Sequence, residues 1–150
     1  MIPQGAQGVG HLATRIVTDL LPKAADDYMA ADLGMIAGLL GLVAQDFERG
    51  TEVLLADIAD IHAILETAAP RFAGSDLGRR MAAEVARLPS GMRLSQLTAH
   101  TDGAMRVLID VHAAVEAAAD AGEGWAKMPD LAIWTFLDAH VARRSYDSAF

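Results

Sequence analysis

From Val9 to Val141 the apolar residues of this chain recur at intervals of three and four, and nowhere do they alternate strictly with polar ones. A repeat near 3.6 residues marks an amphipathic helix, whereas a repeat of two marks a half-buried strand. The clearest face is Leu54, Ile58, Ile61, Leu65 and Ala68. Aromatic residues make up only 5% of a chain whose AVILMFWYC content is 53%, and alanine is abundant throughout. Such a core suits closely packed helices better than a sheet, which favours β-branched and aromatic side chains.

Helix punctuation divides the chain. Val9, Leu12, Ile16 and Leu20 line a first helix over 9–21, and Pro22 opens a second that runs to about Glu48. Asp26 and Asp27 suit its electropositive start, and Gly50 is expected to stop it, so that the chain reverses there. A third helix covers roughly 51–69 and ends at Pro70. Ser75 caps a fourth through Leu77, Met81, Val85 and Leu88, closed by Pro89-Ser90-Gly91. A long fifth helix over about 94–120 carries Leu97, Ala104, Leu108, Val111 and Val115, and a last one from Pro129 carries Ile133, Trp134, Leu137 and Val141. Short connections favour antiparallel neighbours. The expectation is an all-α protein, an antiparallel helical bundle of about five to six helices, with residues 1–150 forming one helical domain.

Charge narrows the partners. The net charge is −8, and residues 1–66 hold ten acids against Arg15, Lys23 and Arg49. Nucleic acid is therefore an unfavourable partner, because phosphate neutralisation needs a basic face. Arg79, Arg80, Arg87 and Arg93 make a local basic cluster, read here as a solvated helix face. The absence of cysteine excludes disulfides, thiolate metal sites and a cysteine nucleophile. MIPQGAQGVG lacks the basic and apolar regions of a signal peptide. The longest apolar run, 33–44, would be about 18 Å long as a helix, too short to span a bilayer. Asp32 and Asp46 bracket it. A soluble cytoplasmic protein with no membrane partner is expected, of bacterial character from its alanine and arginine preference.

Two segments fifty residues apart are nearly the same: DIHAILE at 60–66 and DVHAAVE at 110–116. On a helix His62 and Glu66 share a face, as do His112 and Glu116, while Asp60 and Asp110 point nearly opposite to their histidines. Two such helices facing one another would offer two imidazoles and two carboxylates, a set suited to zinc, iron or manganese. Asp32 falls inside the apolar stripe of Met29, Ile36, Leu40 and Phe47, where an ionised carboxylate needs a partner. A reversal at Gly50 would bring Asp32 level with Glu66 and His62. The candidate metal ligands are therefore His62, Glu66, His112, Glu116 and Asp32. The competing explanation is i, i+4 pairing along each helix and histidines at the edges of apolar faces. No His-x-x-x-His or Glu-x-x-His pair occurs, and GVG at 8–10 and GEG at 122–124 are too short for phosphate loops.

Gly34, Gly38 and Gly41 form a small-residue stripe on the second helix. Each interior glycine costs roughly 0.5–1 kcal/mol relative to alanine, so close packing by the first helix or by a second subunit is expected there. The leading functional expectation is a structural or protein-interaction module that forms a homodimer through this stripe, with no catalytic residue and no cofactor. The alternatives are a metal-binding bundle with a redox or hydrolytic role, and an apolar-ligand binder lined by Met29, Met35, Met105 and Trp134.

Overall fold

The structure is a computed structural model that describes residues 4–147. It is all-α, with five helices and no strand among the described residues: α1 (Gly5–Arg15), α2 (Asp27–Ala68), α3 (Asp76–Ala86), α4 (Leu94–Asp120) and α5 (Lys127–Arg143). The chain divides into two compact units, residues 1–50 with 145–150 and residues 51–144. Helix α2 contributes its first turns to one and its last turns to the other.

The reversal expected at Gly50 does not occur, and the second and third helices of the sequence reading are one helix of 42 residues. Counted at about 100° per residue, Tyr28, Met35, Leu39 and Val43 lie on the same arc of α2 as Asp57, Ile61, Ile64 and Ala68. The stripe passes through Gly50 without a change of phase, and no proline follows to deny the next backbone donor. One interior glycine costs only about 1 kcal/mol, too little to end such a helix.

In the first unit α1 leads through a π-helical turn, Ile16–Leu20, and a 3-10 turn, Leu21–Lys23, into α2. The Asp26 carboxylate accepts a hydrogen bond from the Met29 amide at 2.8 Å and caps the helix start. Among the described residues, the buried apolar side chains of this unit are few and small, Ala13 and Ala37. Many of its large apolar residues, among them Tyr28, Met35, Leu39, Val43 and Phe47, are exposed. The tail returns to α2: the Tyr146 hydroxyl donates to the Asp46 carboxylate, and Arg49 donates to the Ser145 carbonyl at 2.6 Å. The bond to Asp46 holds the Tyr146 hydroxyl above its ordinary pKa.

From Asp27 through the 3-10 turn ending at Phe72 the helix is 46 residues long. An 18-residue window within it has mean hydropathy 1.4 and is 6% buried, so by length and composition the helix could cross a membrane. The sequence reading that no segment is long enough counted only the uninterrupted run 33–44, whereas a longer window keeps its apolar character.

The second unit holds the core. Ile61 and Leu65 of α2, Met81 of α3, Val111 and Val115 of α4, and Ile133 and Phe136 of α5 pack into one buried cluster. Arg80 meets Asp110 while Arg87 meets the His100 carbonyl, so α3 and α4 run antiparallel. Ser75 caps α3 by accepting from the Gly78 amide at 2.9 Å. Gly78 has to be glycine: a Cβ there would lie 2.1 Å from the Phe72 carbonyl oxygen. Helices α2 and α5 are tied through Asp57, which is fully buried and accepts from His140 Nδ1 at 2.9 Å and Arg143 Nη1 at 2.7 Å, with Arg144 Nη2 also 2.7 Å away. Arg143 continues to Asp60, and its bonds to the two acids keep its guanidinium above the usual arginine pKa.

Candidate metal centre

Three helices of the second unit bring one ligand-bearing side chain each to a common point. His62 comes from the last turns of α2, Glu84 from α3 and His100 from α4. One donor atom of each lies within 4.8 Å of the others, and this is the one group of three or more such residues among the described residues. Glu84 Oε1 is 3.9 Å from His62 Nε2 and 4.0 Å from His100 Nε2. The two imidazoles meet edge to face, with centroids 5.8 Å apart.

Burial makes the arrangement unusual. His100 is 2% exposed and Glu84 8%. His62 Nε2 and both ring nitrogens of His100 are buried without a hydrogen-bond partner. An unpartnered buried polar atom costs about 1–3 kcal/mol, so three around one carboxylate call for a physical explanation. Burial is the largest influence lowering the His100 pKa, followed by the Arg87 charge, while Glu84 opposes them. The imidazole is thereby held neutral, the form with a lone pair to give to a metal.

Local sequence accounts for each position. Glu84 lies three residues after Met81 and one before Val85, on the inward stripe of α3. His100 lies three after Leu97 and four before Ala104, on the inward stripe of α4. Helix α3 ends at Ala86, and Arg87 at its C-cap has extended backbone angles, φ −77° and ψ 130°. Its side chain returns to Glu84, with Nε 2.9 Å from Oε2 and Nη2 2.6 Å from Oε1, and Nη2 also donates to the His100 carbonyl at 2.7 Å. Arg87 is thus part of the site's immediate surroundings rather than of a solvated basic face.

Two imidazole nitrogens and a carboxylate oxygen form a ligand set for zinc or iron that leaves further coordination positions open. With metal–ligand bonds near 2.1 Å, tetrahedral ligands stand about 3.4 Å apart. The observed 3.9 and 4.0 Å separations to Glu84 are within reach of that value by small side-chain rotations.

The ligands expected from sequence are distributed otherwise. His62 is in the centre, but Glu66 is exposed and lines a shallow groove with Met81 and Val85. His112 and Glu116 form no three-residue group with it. Instead His112 Nε2 lies 3.4 Å from Asp130 and 3.8 Å from Glu116, edge-on to Trp134. Asp32 belongs to the first unit, is half-buried and forms no three-residue group among the described residues. Neither Asp60 nor Asp110 serves its neighbouring histidine, for they pair with Arg143 and Arg80. A Cβ at Gly34 or Gly38 would meet no atom within 4 Å, so the first helix does not pack there. Met29, Met35 and Trp134 are exposed, and Met105 packs against the core. An apolar groove of about 410 Å³ lies elsewhere, between α2 and α5, with Ile64, Met128, Leu131 and Phe136 on its walls.

The chain matches no protein family, no curated protein and no solved structure, so no relative assigns a role to these residues.

Proposed function

We propose that this protein binds a divalent transition-metal ion through His62, Glu84 and His100. The observation that carries the reading is the convergence of two imidazoles, His62 with a buried and unpartnered Nε2 and His100 with both nitrogens buried and unpartnered, on one buried carboxylate. Zinc and iron(II) are the ions that this nitrogen and oxygen set favours, and their open positions would admit water or a small ligand. Titration calorimetry of chelator-treated protein with zinc(II) or iron(II) tests it. The expected result is one site per chain, weakened at least about tenfold by Glu84→Gln and by His100→Ala, as loss of a direct ligand demands. A full-length protein that takes up neither ion, or that binds as well after both substitutions, would refute the reading.

A second reading concerns the first unit, and exposure favours it. The arc of α2 that is buried over Asp57–Ala68 continues into Tyr28, Met35, Leu39 and Val43, which are exposed. A patch with the pattern of a core face needs cover, and a second copy of this chain would supply it in a homodimer; Gly34, Gly38 and Gly41 lie about 130° away on α2 and would serve a separate contact. Asp32 lies on the same arc and makes burial in lipid expensive, which favours a protein partner in the cytoplasm over a bilayer. The expected result is a dimer that dissociates on dilution in sedimentation equilibrium and becomes a monomer on Leu39→Glu with its helicity kept. A wild-type monomer at every concentration would dismiss the dimer.

A further inference from the structure

We propose that Arg87 is a built-in counter-cation of this centre, occupying Glu84 when no metal is bound and having to withdraw from it when a metal enters. The inference rests on the metal-binding reading. Its physical ground is that one oxygen has two claimants. Glu84 Oε1 is the atom that faces both imidazoles, at 3.9 and 4.0 Å. The same Oε1 accepts from Arg87 Nη2 at 2.6 Å.

A carboxylate as buried as Glu84 cannot stand ionised without a partner. In the metal-free protein the guanidinium supplies one, and it does so with a divided grip: Nε bonds Oε2 at 2.9 Å while Nη2 bonds Oε1 and the His100 carbonyl. A divalent ion held by Oε1 and the imidazoles would face that positive charge at very short range, where repulsion is strong even in a screened interior. The divided grip offers a way out. Nη2 can leave Oε1 while Nε keeps Oε2, so that Glu84 stays oriented as its free oxygen turns to the metal.

Helix α4 carries a second, independent mark of this arrangement. Gly103 is interior to the helix, where glycine is disfavoured by about 1 kcal/mol against alanine. A Cβ at that position would lie 2.5 Å from Arg87 Nη2 and 3.2 Å from its Cζ. Glycine therefore leaves the berth in which the guanidinium lies. The berth serves the position on Oε1 rather than the whole side chain, since the atom crowded most closely is the one that competes with the metal. The consequence is a metal held exchangeably, because every binding event displaces an internal cation.

The test is zinc(II) affinity of the full chain, measured by calorimetry against a competing chelator, together with the melting temperature of the metal-free protein. Arg87→Met removes the charge and keeps much of the side-chain volume. It is expected to tighten zinc binding by roughly tenfold or more while lowering the metal-free melting temperature. Those opposite signs separate a counter-cation from a residue that only supports the fold, whose loss would weaken both. Gly103→Ala, which keeps the charge but crowds Nη2 out of its berth, is expected to shift zinc affinity in the same direction, and it carries the test if Arg87→Met fails to fold. Wild-type zinc binding that is unchanged or weakened in the variants would overturn the proposal and leave Arg87 as an orienting partner of Glu84. Absence of zinc binding in the wild type and both variants would overturn it together with the metal site.

Discussion

Replacing Asp57 with alanine is expected to destabilise the protein by about 3 kcal/mol, because it removes the buried acid on which half-buried basic side chains of α5 converge. Asp57 is fully buried, and three groups converge on it: His140, Arg143 and Arg144. Attraction in a buried setting is little weakened by salt, so the loss persists at high ionic strength. Part of the penalty is relieved because Arg143 keeps Asp60 and because Arg144 is 38% exposed and can turn to water. Asp60→Ala is the internal comparison. Its side chain is 44% exposed and, among the described residues, pairs with Arg143 alone, so its removal is expected to cost no more than about 1 kcal/mol. Urea unfolding followed by far-ultraviolet circular dichroism distinguishes the two. Equal losses would mean that the Asp57 network is no more than another surface ion pair, and that α5 is held to α2 by apolar packing alone.

Much of the fold was legible because it is written in short-range chemistry. Ser75 before an apolar repeat gave the start of α3, and the stripe from Leu97 to Val115 gave nearly the whole of α4. Gly50 misled because glycine is a common helix stop only when the apolar phase also breaks, and here it does not. The candidate site was half legible for a related reason. His62 drew notice through a cassette repeated along the chain, and its acid was sought four residues away on the same helix. Its nearest acid is Glu84, which stands on another helix. Glu84 and His100 belong to no repeat, and their signal is only that a charged and a polar residue occupy inward positions between Met81 and Val85 and between Leu97 and Ala104. Face arithmetic on α3 and α4 finds them there. No arithmetic within one helix shows that the two faces meet at His62, nor that Gly103 on α4 makes room for Arg87 from the end of α3.

Zinc(II) added to chelator-treated protein is expected to raise its stability by about 4 kcal/mol when the free ion is a thousandfold above its dissociation constant. The gain follows from linkage: His62, Glu84 and His100 sit on three different helices, and only the folded second unit gathers them. An ion that binds the gathered set and not the unfolded chain stabilises the fold by its whole mass-action term. His100→Ala is the discriminating variant because its two effects in the metal-free protein oppose each other. It empties a buried volume, which destabilises, and it removes two unpartnered ring nitrogens, which relieves a desolvation cost. The metal-free loss should therefore be smaller than that of an apolar side chain of equal size, while the zinc increment should fall by at least about 1.4 kcal/mol at the same free zinc. His112→Ala serves as the control, because His112 lies against Asp130, Glu116 and Trp134 rather than in the centre, and its variant should keep the increment. Thermal unfolding with and without zinc measures all three proteins. An increment that is undiminished in His100→Ala, or that falls in His112→Ala instead, would place the ion somewhere other than the junction of α2, α3 and α4.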